Sequence, residues 1–251
     1  MNENILIKAK IQLAKDYNCR IEDFDNNKNT ITDLRIIDGS RRYSSDKEIL
    51  KILIINGKAV ISADKCIKNW CIENLLNFPG EWMFLYSVLR RIDKKLNEFG
   101  YEIDNTHHYY LPKDNKLKGI NDFKLKWFEK DEILQFKDDN RFDEAFDFNK
   151  NYPDVLGVAV VDNDENILGM AGASEDSNIM WQIGVNVLPE EKGRGIATVL
   201  VQALKNEILK REKIPFYGTV ESHIISQKVA LKSGFYPAFA EVKIRKVNKD
   251  N

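Results

Sequence analysis

The stretch Met180-Trp181-Gln182-Ile183-Gly184-Val185-Asn186-Val187-Leu188-Pro189-Glu190-Glu191-Lys192-Gly193-Arg194-Gly195-Ile196-Ala197-Thr198 decides how this chain folds. Its first nine residues read as a strand. A proline-led turn follows, and then Ile196, Val199, Leu200, Ala203, Leu204 and Ile208 fall on one face at helical spacing. A helix therefore starts at the second of two glycines. Its first amides have no intrahelical partner, and its dipole favours an anion at that end. Gly193 lets the turn close, and Gly195 lets a phosphate group approach the backbone without meeting a Cβ. Lys192 and Arg194 add positive charge beside it. On physics alone this is a phosphate cradle, and a diphosphate-bearing carrier is its natural occupant.

Two rival cradles fit less well. Gly193-x-Gly195-x-x-Thr198 lacks the third glycine of the dinucleotide fingerprint, and it follows several strands instead of opening a βαβ unit. A G-x-x-x-x-G-K-[ST] loop occurs nowhere in the chain.

Outward from the cradle, Leu125 to Phe128 reads as a short strand, and Asp131 to Lys137 and Phe142 to Phe148 as short helices. Val155 to Val161 is a continuous apolar run, as in a buried strand. Asp162 to Asn166 turns it back into Ile167 to Ala173. After the long helix, Pro215 to Val220 is a strand, Ser226 to Ser233 a helix and Phe239 to Ile244 a last strand. The first part of the chain reads differently. Leu85, Leu89, Ile92, Leu96 and Phe99 form one helical stripe stopped by Gly100. Lys51 to Ile55 and Ala59 to Ile61 flank Asn56-Gly57, a strong hairpin signal. Tyr101 to Leu111 looks like a further strand. Charge divides the same way, with 20 basic and 17 acidic side chains before residue 119 and 18 and 22 after it. The seam expected is Pro112 to Gly119, giving an N-terminal α+β lobe at 1–118 and a second domain at 119–251.

The 251 residues are 43% apolar and 31% charged with a net charge of −1, an ordinary globular composition. Near-neutral charge argues against a nucleic-acid partner. No apolar run is long enough to span a bilayer, and Lys8, Lys10 and Lys15 interrupt any signal-peptide core. Cys19, Cys66 and Cys71 are odd in number and lack paired metal spacing, so reduced thiols, a cytoplasmic location and no metal are expected.

Lys192-Gly193-Arg194-Gly195-Ile196-Ala197 resembles the acetyl-CoA pyrophosphate loop of the GNAT N-acetyltransferase superfamily, [QR]-x-x-G-x-[GA], with lysine at its first position. Ser226-Gln227-Lys228-Val229-Ala230-Leu231-Lys232-Ser233-Gly234-Phe235 is similar to the superfamily's second motif, ending in K-x-G-F. The resemblance covers about residues 121–247, and two-part bacterial members of this length are the most similar. It implies an α/β (α+β) fold with a mixed, mainly antiparallel central sheet flanked by helices. It also implies acetyl-CoA as the acyl donor, transferred to a primary amine of a small-molecule acceptor by direct attack in a ternary complex. The backbone of Val185, Asn186 and Val187 is expected to pair with the pantetheine arm like an added strand. Lys192, Gly193, Arg194, Gly195, Ile196, Ala197 and Thr198 are expected around the pyrophosphate. His223 stands where the second motif usually has asparagine, and Ser226 fills its small-residue position. Lys232 is expected on the structural or adenine side.

The same resemblance exposes departures. Many members carry a tyrosine four residues before the motif glycine, and here that residue is Ala230. Many carry a glutamate on the strand before the loop, and here Gln182 stands there, able to orient a group but not to take its proton. Base candidates are then His223, Glu221, Glu175 and Asp176. A carrier-binding module without catalysis is the rival reading, and an N-terminal lobe that is a degenerate copy of the same fold is a third. Between Glu129 and Asp147 lie eight acids and three bases, a charge that fits a cationic acceptor or a solvated helical face. His107-His108-Tyr109-Tyr110 alternates across a strand, so its histidines cannot readily share an ion; a strand with mixed faces is the plain reading, and contact between the two parts the alternative. Oligomeric state is left open between monomer and homodimer.

Overall fold

The structure is a computed structural model that describes residues 3–41, 47–113 and 123–247. Ten strands form one sheet: β1 (Thr30–Asp33), β2 (Leu50–Ile55), β3 (Lys58–Ala63), β4 (Tyr101–Pro112), β5 (Lys124–Glu129), β6 (Asp154–Val161), β7 (Ile167–Glu175), β8 (Met180–Val187), β9 (Ile214–Thr219) and β10 (Phe235–Lys246). Their spatial order is β1-β3-β2-β10-β4-β9-β8-β7-β6-β5. Only β1 with β3 and β8 with β9 are parallel, so the sheet is mixed and mainly antiparallel as expected. The helices are α1 (Glu3–Asp16), α2 (Lys65–Leu75), α3 (Tyr86–Asn97), the single turn α4 (Lys130–Ile133), α5 (Ile196–Lys210) and α6 (Ile224–Lys232).

Local signals explain most of these elements. Asn56 and Gly57 take φ of +52° and +73°, as a two-residue turn between right-twisted strands requires, and they close β2 onto β3. Val88, Ile92 and Leu96 of α3 are buried, whereas Leu85 lies half-exposed just before it. The helix expected over 142–148 does not form. The 3₁₀ turn at Asn140–Phe142 is followed by one turn, in which Ala145 and Phe146 N–H donate to Phe142 C=O at 3.1 and 3.0 Å, and the chain then leaves the helix. Glu144 N–H and Ala145 N–H donate to Asn186 Oδ1 at 3.0 and 2.8 Å. The carbonyls of Glu144 and Ala145 lie so close over Gly184 and Gly172 that a Cβ there would sit 1.8 and 2.0 Å from them. Only glycine permits this approach.

The sheet runs across the 118/119 boundary without a break. β4 lies between β9 and β10, pairing with both, and β10 in turn pairs with β2. Within the expected seam, residues 114–119 lie outside the described residues. α2 and α3 pack on Ile52, Ile61 and Val242, and α5 and α6 cover Val158, Ile183 and Tyr217 on the same side of the sheet. α1 covers Leu53, Phe216 and Phe239 on the other side, and Phe136, Phe142 and Phe146 fill that side further along.

The α1 face carries a buried ionic cluster. Arg41 Nε donates to Asp16 Oδ2 at 2.5 Å and Arg41 Nη2 to Glu241 Oε1 at 2.8 Å, with all three side chains almost wholly buried. Tyr17 Oη donates to the same Glu241 oxygen at 3.0 Å, and the guanidinium lies over Phe216 and Phe239. Removing the cation leaves two carboxylates buried without it. Arg41→Leu is therefore expected to destabilise the protein by about 3–5 kcal/mol, read by denaturant melts; a loss below about 1 kcal/mol would mean the cluster is wet. Residues 119–251 expressed alone would leave β9 and β10 without β4 between them. That fragment is expected to lack cooperative thermal unfolding, and a sharp transition would show that β4 is dispensable.

Candidate functional site

The β8–β9 pairing stops early. It runs from Met180↔Ile214 to Ile183↔Tyr217 and ends there. Beyond that point β8 stays with β7 as far as Gly169↔Val187, while β9 stays with β4 through Tyr109↔Gly218 and His108↔Thr219. The two parallel strands are thus pulled toward opposite neighbours. Between them opens a cleft of about 760 Å³ lined by Gly184, Val185 and Val187 on one wall and Gly218, Thr219 and Val220 on the other. The edge of β8 that faces the gap carries backbone donors and acceptors left over from the sheet.

At the mouth of the cleft the chain turns into α5. Gly193 and Gly195 have φ of +84° and +85°, which disfavours any residue with a Cβ, and a Cβ at either would meet no atom within 4 Å. The first bond of the helix end runs from Val199 N–H to Gly195 C=O at 3.2 Å, so the amides of Ile196, Ala197 and Thr198 precede the helical ladder. Lys192, Gly193, Gly195, Ile196, Ala197 and Thr198 all line the cleft. Arg194 is turned instead to Glu191, with which it forms an ion pair.

The remaining expected residues divide. His223 precedes α6 at the rim of the cleft, and Ser226, on the first turn of that helix, shares a 2.7 Å hydrogen bond with Tyr217 Oη. Lys232 lies on the same wall. Gln182 lines the cleft from the other side. Glu221 does not line it; its carboxylate accepts from Thr106 Oγ1 and lies 3.4 Å from His108 Nε2. The side chain of Asn186 is spent on the amides of Glu144 and Ala145 and on the Asp143 carboxylate, so only its main chain remains for the gap. Ala230 is wholly buried in the core.

A second cavity of about 190 Å³ adjoins the first, and Glu144, Gln182 and Gly184 line both. Its other walls are Ala145, Asp147, Tyr152, Asp154, Ser174 and Lys243. Of the acidic segment 129–147, Glu144 and Asp147 face this cavity, whereas Glu129 pairs with Arg211 and Asp139 with Arg141. Tyr152 Oη donates to Asp147 Oδ2 at 2.7 Å. Burial raises Asp154 to about 6, against the amides of Phe148 and Asp147 that hold it down. Burial likewise raises Asp176, behind Ser174, to about 7 and lowers Lys243. The three cavity carboxylates outnumber the one lysine, a balance that suits a cationic guest.

Sequence reasoning missed two side chains at the cleft. Tyr217, whose phenol is raised by burial, lines it beside Ser226. His107 lines it too, where the sequence reads only as a strand with mixed faces. Its spacing relative to β9 is set by the β4–β9 register, which no local pattern encodes.

Fold and site together place a gap in the sheet beside a helix end whose first amides precede the helical ladder. Residues 117–235 match the model of the Acetyltransferase (GNAT) family. No curated protein matches the chain. Among solved structures, a GCN5-related N-acetyltransferase-like protein from Streptococcus suis is 14% identical over 80% of this chain and 86% of its own, with a TM-score of 0.47. A GNAT-family acetyltransferase from Colwellia psychrerythraea is 12% identical over 95% and 97%, with a TM-score of 0.45. A GCN5-related N-acetyltransferase from Sphaerobacter thermophilus is 15% identical over 62% and 56%, with a TM-score of 0.43.

Asp176 supplies a stability test. Its folded pKa, about 7, lies above the ordinary carboxylate value, so between those values the folded state binds more protons than the unfolded one. Stability from this group is full at low pH and is lost as pH rises toward 7, by up to about 1.4 kcal/mol per pH unit. Asp176→Asn should flatten that part of the stability profile. A variant profile parallel to wild type would show that Asp176 titrates normally.

Proposed function

We propose that the chain is an N-acetyltransferase that moves acetyl from acetyl-CoA to a primary amine of a small acceptor, by direct attack with both partners bound. The observation that carries this is the parting of β8 from β9 at Ile183↔Tyr217, next to the glycine turn of α5. A carrier with a diphosphate and an extended amide-bearing arm fits both features. Its phosphates suit the amides of residues 196–198, and its arm suits the backbone edge of Val185 to Val187. Acetyl-CoA, when bound, supplies the activated thioester; everything else is done by the backbone and side chains of this chain.

The acceptor reading rests on the adjoining acidic cavity. Glu144, Asp147 and Asp154 draw in an ammonium group, and the cavity volume of about 190 Å³ limits its guest to a small molecule or one terminal group of a larger one. Gln182, common to both spaces, can orient the incoming nitrogen. Holding both reactants together is worth up to ~7–11 kcal/mol in well-oriented cases. A thiol of pKa ~8.5 is a tolerable leaving group, so the missing tyrosine at Ala230 does not bar the reaction. The rival, a carrier-binding module without catalysis, draws its support from Gln182 and Ala230, neither of which transfers a proton at physiological pH. Cys19, Cys66 and Cys71 are free thiols, Cys66 exposed, which suits the cytoplasm. Among the described residues no helix is long and apolar enough to cross a membrane.

Thiol release from acetyl-CoA in the presence of small amines tests the reaction. Turnover on at least one cationic amine is expected, falling as salt screens the acidic cavity. Gly195→Asp adds a carboxylate at a positive-φ position facing the open cleft, and acetyl-CoA affinity should fall at least tenfold by calorimetry. Unchanged affinity would remove the carrier from the α5 turn.

A further inference from the structure

We propose that His107, which lines the cleft, is the group that receives the acceptor's N–H: a neutral imidazole with its lone pair on Nε2, which orients the attacking amine in its uncharged form and takes its proton. This rests on the cleft being the reaction site, and it brings in a residue outside the segment 117–235 that matches the family.

Asn105 Nδ2 donates to Asp104 Oδ2 at 2.6 Å, which fixes the amide orientation, because a carboxylate accepts and does not donate. Asn105 Oδ1 therefore faces His107, and it lies 2.7 Å from His107 Nδ1. A carbonyl oxygen can only accept, so Nδ1 carries the hydrogen and Nε2 keeps its lone pair. The ring stacks on Tyr109 with centroids 5.8 Å apart and lines the same cleft as Gln182 and Glu144. Orientation, tautomer and position are thus set by three neighbours on one strand.

The surroundings keep the ring uncharged. Burial lowers His107 to about 4, Lys243 on β10 and His108 lower it further, and only Glu221 opposes them. At neutral pH the imidazole is fully in its accepting form. A charged base would hold the amine as an ammonium, which has no lone pair to attack with; an uncharged acceptor leaves that lone pair free. An acceptor that arrives as an ammonium first gives one proton to water; the nitrogen lone pair then forms the bond to the acetyl carbon and the carbon–sulfur bond breaks with its electrons on sulfur. The N–H proton passes to Nε2. Becoming an amide makes the nitrogen far more acidic, so a weak base suffices at that point. The departing thiolate, of ordinary pKa ~8.5, is the stronger base and takes the proton on, returning His107 to its neutral form.

The test uses the full chain labelled with ¹⁵N-histidine; the protein has three histidines, so single substitutions assign them. His107 is expected in the Nδ1–H tautomer, titrating well below pH 6.5. An Nε2–H tautomer, or ordinary titration, overturns the proposal. In parallel, His107→Leu and Asn105→Ala are assayed for acetyl-CoA binding by calorimetry and for thiol release with propylamine. Affinity should hold within about twofold for both. Turnover should fall 10²-fold or more for His107→Leu, the range general-base loss gives, and less for Asn105→Ala, whose ring loses its tautomer lock. Retained turnover in His107→Leu with intact binding overturns the role of His107 alone. Absence of acetyl-CoA binding by the wild type overturns the cleft reading and this proposal with it.

Discussion

Everything that can be said of the site depends on one pair of neighbours, Ile183 and Tyr217, where the parallel pairing of β8 and β9 ends. A sheet does not open of its own accord, since each separated strand leaves backbone groups without partners. Here both strands are held from outside. β8 is pinned by β7 and by Asn186, whose side chain grips the 144–145 amides, while the glycines at 172 and 184 let that loop lie against the strands. β9 is pinned by β4, with the Tyr109 ring filling the space a side chain at Gly218 would need. The cleft is the difference between two well-satisfied attachments, so it is rigid on both walls.

This explains why the first part of the chain bears on the site. β4 is the wall behind β9, it brings His107 to the cleft, and its other edge pairs with β10. β10 carries Glu241 and Lys243, which tie the α1 face through Arg41 and reach the second cavity. The ion cluster and the acidic cavity therefore lie on the α1 face, while α5 and α6 line the cleft from the other face of the same sheet. Charges are graded across it: carboxylates in the cavity, an uncharged histidine at the cleft, and helix amides with Lys192 at the mouth.

The sequence made the cradle legible because its chemistry is local. Two glycines, a preceding strand and a helical stripe lie within thirty residues, and Gly193, Gly195 and residues 196–198 line the cleft at the start of α5. The second motif likewise delivers His223, Ser226 and Lys232 to the cleft. What was not legible depends on register between distant strands. Glu221 follows β9 directly, yet Thr106 and His108 of β4 hold it off the cleft. His107 and Tyr217 reach the cleft through β4–β9 pairing, and nothing in either strand's own pattern announces it. The expected helix over 142–148 failed for the same reason: its backbone bonds with Asn186, some forty residues on, outweigh local helical spacing. The continuity of the sheet past residue 118 is long-range in the same sense.

The most direct measurement is hydrogen exchange of the full chain with and without acetyl-CoA, followed amide by amide. The account predicts slowed exchange in two separated stretches at once, Gly184 to Val187 and Gly195 to Thr198, because one ligand spans the gap and the helix turn. Slowing at the helix turn with β8 unchanged would contradict it, as would protection elsewhere in the sheet, for then the parting of β8 from β9 would not be where the carrier lies.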